Sequence, residues 1–294
     1  PLGSSATLSA KITPAVAEVS VTFILDNGTN TVGDPITVKT NSSGVASYPL
    51  TGLPVDVYKV VANIGISTSS TYCISSTAAY LAIYDPSGGF VTGGGWISSP
   101  AGAYVANPTL TGKANFGFNS KYQKGKNVPD GNTEFQFQAG NLNFSSSVYT
   151  MGSLVISGAK ATYKGYGTIN GSGSYSFLVS AIDGDVSGSG GIDRFRIKIW
   201  DANKVIYDNN LGGDDNDLPT TSLGGGSIVI HSDAKKAAEI LPTEPISEVA
   251  SVKAYPNPFS DRVAIEFNSA TDCTATLEIY SITGAKLATL FNAP

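Results

Sequence analysis

The stretch "GKANFGFNSKYQKGKNVPDGNTEFQF", Gly112 to Phe137, holds two alternating arms around a polar middle. Phe116 and Phe118 share one parity of the first arm, and Phe135 and Phe137 share one parity of the second. Side chains of a strand point alternately to opposite faces, so apolar residues at every second position mark half-buried antiparallel strands. Between the arms, "VPDGNT" carries the Asp-Gly pair favoured in tight hairpins, which predicts a turn with Asp130 and Gly131 at its tip. Outward from this hairpin the same period recurs in "GSLVISGAKATYKGYGTING", "SYSFLVSAIDGD", "DRFRIKIWD", "KVIYDN" and "GSIVIHS". In "DRFRIKIWD" Phe195, Ile197 and Ile199 share one face, while Arg194, Arg196, Lys198 and Trp200 take the other. Residues 88–233 therefore read as a sandwich or flattened barrel of roughly eight to ten strands. Near its start, Gly93, Gly94 and Gly95 permit either a turn or tight packing before Trp96.

The same logic defines a smaller sandwich over 5–87. "AEVSVTFIL" puts Val19, Val21, Phe23 and Leu25 on one face, and "DNGT" follows as a turn. "DPITVKTNSSGVASYPL" reads as strand, turn at Gly44, strand; "VDVYKVVANI" alternates again; "AAYLAIYDP" closes the unit. "AKKAAEILPTEPISEVA", 234–250, replaces Gly-rich alternation with charge and proline and reads as a linker. Beyond it, 251–294 holds two further alternating strands behind "YPNPF", whose prolines fix a rigid, extended lead-in. "PLGS" at residues 1–4 reads as the scar of a removed expression tag. The fold class is thus all-β, in tandem antiparallel sandwiches.

Composition restricts the function. The 294 residues carry a net charge of −5 and are only 14% charged, which argues against nucleic acid, a partner that demands clustered Lys and Arg. No apolar run approaches the ~20 residues of a membrane-spanning helix. One histidine and two distant cysteines, Cys73 and Cys273, do not supply a zinc site. The cysteines fall in different predicted domains and read as free thiols rather than a disulfide.

Resemblances sharpen this picture. On "VTFIL" and "NSSGVASYPLTGLPVDVYKVVA", residues 5–87 resemble bacterial immunoglobulin-like repeats, which implies a stalk or spacer. On "AYLAIYDPSGGFVTGGGWISSPAGAY", "GKANFGF", "NTEFQF" and "DRFRIKIWD", the next unit resembles an uncharacterised module of large bacterial extracellular proteins. On Tyr255, Pro256, Asn257, Pro258 and Phe259, followed by "VAIEF" and "ATLEIYSITGAKL", the C-terminus resembles the type IX secretion sorting domain of Bacteroidetes. That resemblance implies export to the cell surface or medium, contact with the secretion machinery, and further strands beyond Pro294.

Several residues are candidates for chemistry. His231 is the lone histidine, no G-x-S-x-G elbow is present, and no catalytic residue is assigned. A glycosidase needs two facing carboxyl groups, for which Asp183, Asp185, Asp193, Asp201 and Glu134 are the candidates, though Asp in Gly-rich loops usually forms turns. "IDGDVSGSGGID" and "GGDDNDLP" cluster Asp183, Asp185, Asp193, Asp214, Asp215 and Asp217 in loops, a composition suited to calcium; Asp201, Asp208 and Asn209 complete such a site if the loops converge. Trp96, Tyr166 and Trp200 are candidates for a glycan platform, Trp200 because it lies on a polar parity. The reading is a non-catalytic spacer or adhesin whose ligand is a polysaccharide or a surface protein. The alternative is a carbohydrate-binding accessory module of a polysaccharide-degrading enzyme.

Overall fold

The structure is a computed structural model that describes residues 1–64, 76–202 and 204–232, together with four strands within 252–293. The chain forms two compact units, Pro1–Lys235 and Lys236–Pro294. In the first unit, β1 (Ala6–Lys11), β2 (Ser20–Asp26), β3 (Ile36–Lys39), β4 (Val45–Leu50), β5 (Asp56–Ile64) and β6 (Ser76–Ile83) build a small sandwich. One sheet has the order β3-β2-β5-β6, and the other pairs β1 with β4. Consecutive strands β3 and β4 thus belong to different sheets, and the polar turn between them is where the chain crosses over. Leu8, Val21, Phe23, Leu25, Ala46, Val60 and Ala62 fill the space between. This matches the alternation of "VSVTFIL", except that Val19 lies before β2 begins.

Ten strands follow: β7 (Phe90–Ser99), β8 (Gly112–Tyr122), β9 (Pro129–Phe137), β10 (Leu142–Tyr149), β11 (Val155–Ser157), β12 (Lys160–Ile169), β13 (Ser172–Ile182), β14 (Arg194–Asp201), β15 (Lys204–Asp208) and β16 (Gly225–His231). Nine lie in the order β15-β14-β13-β12-β10-β9-β8-β7-β16, with β11 attached to β12. The sheet curls until its two halves face each other. Phe116 of β8 stacks on Phe195 of β14, far away in strand order, with ring centroids 4.0 Å apart and planes 5° from parallel. Phe118, Phe135, Phe137, Tyr163, Phe177, Ile197, Ile199 and Tyr207 complete the interior.

The turn at the heart of this module differs from its prediction. β9 begins at Pro129, and Asp130 and Gly131 pair with Lys121 and Ser120 inside the ladder. The chain reverses before them, where Lys126 N–H donates to the Gln123 carbonyl and Gly125 takes a left-handed conformation (φ 73°). Gly131 serves a different need: a Cβ there would sit 2.1 Å from the Asn119 carbonyl oxygen. The Asp-Gly signal therefore marked a close backbone approach rather than a turn. The glycines of β7 also pack instead of turning. A Cβ on Gly93 would meet the Phe118 ring at 2.5 Å.

In the second unit β17 (Val252–Tyr255) pairs with β18 (Ala264–Phe267), and β19 (Ala275–Tyr280) pairs with β20 (Lys286–Ala293), all antiparallel. Pro256, Asn257, Pro258, Phe259, Cys73 and Cys273 lie outside the described residues.

The stacked pair between the two halves carries much of the larger core. Phe195→Ala is expected to destabilise the first unit by about 3–5 kcal/mol, read as a lower midpoint in urea unfolding.

Candidate functional site

The acidic residues of "IDGDVSGSGGID" and "GGDDNDLP" fall into distinct structural tasks. Asp183 and Asp193 sit beside β16, the last strand of the curled sheet. The Asp183 carboxylate accepts the Ile230 N–H at 2.7 Å, and that of Asp193 accepts the Ile228 N–H at 2.8 Å. Their other oxygens accept N–H groups of their own loop, from Asp185 and Gly184. Two alternate donors of an otherwise free strand edge are thereby satisfied by side chains, which seals the edge against foreign strands. Nearby, Phe195 N–H donates to the Thr221 carbonyl and Leu223 N–H to that of Asp193, so backbone bonds continue the seam.

Asp214, Asp215 and Asn216 belong to a loop on the outer face of β12–β14. Arg196, on the polar parity of β14, is fully buried rather than solvated. Its guanidinium donates to both Asp208 oxygens, at 3.0 and 2.9 Å, and to the carbonyls of Gly213 and Asp214 at 2.9 and 2.6 Å. Asn209 lies alongside, its amide joining the backbone of Phe195 and Ile197. The loop so held reaches the small sandwich. Asp214 pairs with Lys59 of β5 and accepts a hydrogen bond from the Tyr80 hydroxyl of β6 at 3.1 Å. Asp215 bridges Lys164 and Lys198, both at 2.8 Å. Asn216 donates to the Asp26 carbonyl at 3.0 Å. A Cβ on Gly28 would come within 2.0 Å of the Asn216 carbonyl oxygen, so the "DNGT" turn is itself a contact surface. Lys160 of β12 adds an ion pair to Asp56 of β5 at 2.9 Å, with both side chains nearly buried (8% and 12% exposed). Val57 enters the larger core. β5 thus has two inner faces: Val60 and Ala62 face its own sandwich, and Val57 and Lys59 face the neighbouring module.

The electrostatics follow from this packing. Hydrogen bonding from Lys59 holds the Asp214 carboxyl below its ordinary value, and the same contact raises the Lys59 pKa. Burial pushes the Asp215 carboxyl up, but the charges of Lys164 and Lys198 outweigh it and leave the carboxyl lowered. Burial drives the Tyr80 hydroxyl up to about 12. Asp217 accepts the Asp214 N–H within its own loop. Among the described residues no three His, Cys, Asp or Glu side chains come together in a metal-holding group. Asp201, at the end of β14, does not join these loops; Asp208 and Asn209 join Arg196 and the β14 backbone instead.

The aromatic candidates separate likewise. Tyr166 and Trp200 lie on one outward row through Ser176, which pairs with both. Trp96 lies on the opposing half of the sheet, on β7, half-buried beneath Lys113, whose Nζ sits 4.9 Å over the ring. In register with Trp96 comes Asn115 of β8, then Gln136 of β9, then Asn143 of β10. The next outward row is Gly94, Gly117, Glu134, Ser145 and Thr168. From Asn115 and Gly117 onward, these rows line an open groove of about 930 Å³ on the outer face of β8, β9, β10 and β12. Sequence reading missed it. Its signal was present in the polar parity of "KANFGFN", "TEFQFQ" and "LNFS", but only strand register aligns those residues. His231, exposed at the end of β16, stacks on Phe90 with centroids 4.2 Å apart and lies 3.3 Å from the Thr92 hydroxyl.

Residues 253–292 match the secretion system C-terminal sorting domain. The chain is therefore a type IX secretion cargo, exported to the cell surface or the medium, and its sorting domain engages that secretion machinery. None of the curated proteins and none of the solved structures compared gives a match. Among the described residues no helix is long and apolar enough to cross a membrane.

The sign of the pH dependence is set by the lowered carboxyls. Their contribution to stability is complete above the ordinary aspartate value of 3.8 and is lost as the pH falls towards the lower folded values. Acid unfolding of the first unit is expected to steepen below that point. Asp215→Asn should give a shallower acid limb and lower stability by about 1–2 kcal/mol at pH 7, since its lysine partners are partly solvated.

Proposed function

We propose that the first unit is a non-catalytic surface module of the exported protein, a spacer that carries an adhesive face. The observation that carries this reading is the joint between the small sandwich and the curled sheet. Lys59, Tyr80, Asp56 and the 26–28 turn on one side meet Asp214, Lys160 and Asn216 on the other. Neighbouring domains move relative to one another unless their interface is large and hydrophobic; here Val57 and Tyr84 belong to the larger core, and the Lys160–Asp56 pair across the joint is nearly buried. The immunoglobulin-like reading of 5–87 fits the spacer half of this role.

A second reading, a carbohydrate-binding accessory module, is favoured by one observation. The open groove on the outer face is lined by amides and a single carboxylate, Glu134, where hydrolysis by the usual route uses two.

The joint is tested by calorimetry of the full chain. The small sandwich and the curled sheet should unfold in one cooperative transition. Asp56→Ala, which leaves the buried Lys160 unpaired, should lower stability by about 3–5 kcal/mol and separate the two meltings. Two independent transitions within the first unit of the parent protein would refute the rigid-spacer reading.

A further inference from the structure

The row Asn115, Gln136 and Asn143 has no role in either core, in the seam or in the joint. Among the described residues no protein group hydrogen-bonds these three side-chain amides, so they are open to a ligand. Neighbouring strands lie about 4.8 Å apart, so the three amides span about 9.6 Å in a straight line across the sheet. That is longer than one sugar ring and comparable to the disaccharide repeat of an extended polysaccharide. Each amide offers donors and an acceptor side by side, the pairing that a sugar hydroxyl, itself donor and acceptor, satisfies best. Glu134 is the one carboxylate lining the groove, and no lysine or arginine lines it. A polyanion would meet no countercharge there. β8, β9 and β10 are each paired on both sides, so no free backbone edge is offered to an added peptide strand. Tyr166, 49% exposed, is the next outward residue along β12 from Thr168, which lines the groove. The amide row itself continues to Asn170, just past the end of β12, whose backbone N–H donates to the Asn143 carbonyl, so Tyr166 flanks the groove rather than prolonging the row.

We propose that this outer face binds an extended, uncharged polysaccharide, with Asn115, Gln136 and Asn143 hydrogen-bonding successive hydroxyls along the row. The proposal rests on the non-catalytic reading and gives its adhesive face a ligand class.

Affinity electrophoresis of the full chain through gels containing mixed-linkage β-glucan, glucomannan or alginate tests it. At least one of the two uncharged polymers should retard the protein. The double variant Asn115→Ala/Gln136→Ala should weaken retardation at least tenfold, and Met151→Ala, an exposed change elsewhere, should leave it unchanged. Should the double variant lose its cooperative thermal transition, Asn143→Ala alone is expected to weaken retardation at least threefold. Retardation by neither uncharged polymer, by alginate alone, or to an extent indifferent to the amide variants would overturn the proposal. So would loss of binding in Trp200→Ala with the amide variants intact. Release of reducing ends from a bound polymer would instead refute the non-catalytic reading, while the amide variants still decide the groove.

Discussion

The buried guanidinium of Arg196 is the contact on which the arrangement of the first unit depends. It has no solvent exposure, and its donors are taken by Asp208 and by two carbonyls of the following loop. Burying a charge is tolerable only when its hydrogen bonds are complete, and here a bidentate carboxylate and the loop backbone complete them. The consequence is geometric. A loop that would otherwise be a solvated excursion is held in one place, with Asp214, Asp215 and Asn216 presented to Lys59, Lys164, Lys198 and the 26–28 turn. The joint is therefore built from inside the larger sheet outward.

This use of charge explains how the acidic loops can be both numerous and structural. Asp183 and Asp193 spend their carboxylates on backbone N–H groups of β16, while Asp208, Asp214 and Asp215 spend theirs on cations. The first two solve a problem peculiar to an open-edged curled sheet: the N–H groups of its last strand lack a partner strand, and carboxylates with two acceptor oxygens satisfy them while holding their own loop. The same residue type, in similar Gly-rich context, therefore serves the seam in one loop and the joint in the other.

The period of two was enough to read the strands, because it reports only which residues face a core. Phe116, Phe118, Phe195, Ile197 and Ile199 all lie where alternation places them. What alternation does not encode is which strand lies beside which, and that is where the reading stopped. Asp130 and Gly131 look like a tip because the dipeptide is common in tips; their place in the ladder follows from β8 extending to Tyr122 and requiring nine residues of partner. Arg196 looks solvated because its parity is polar, whereas a loop 18 residues further on covers it. Lys59 reads as one more residue of an alternating run, and its partner outside its own sandwich, Asp214, follows only from the fold. The amide row shows in the sequence only as polar parity, since Asn115, Gln136 and Asn143 are unremarkable individually and acquire meaning only from register.

The outer face of the curled sheet is divided between these two uses, and the division has a physical cause. On β13, Leu178 points outward yet is fully buried, flanked in register by Lys164 and Lys198, which both reach Asp215. An apolar residue at that position demands a cover, and the loop held by Arg196 supplies it. On β8 and β9 the corresponding outward positions are Gly117 and Glu134, with the amides beside them; nothing there demands a cover, because small and polar groups are stable against water. The half of the sheet that carries the apolar residue became the joint, and the half that carries polar groups in register was left open. An open polar face assembled from three central strands has a fixed spacing, because every strand under it is held on both sides. That rigidity is what a side-chain row needs to act as a template for a repeating ligand, since little conformational freedom remains to be lost on binding.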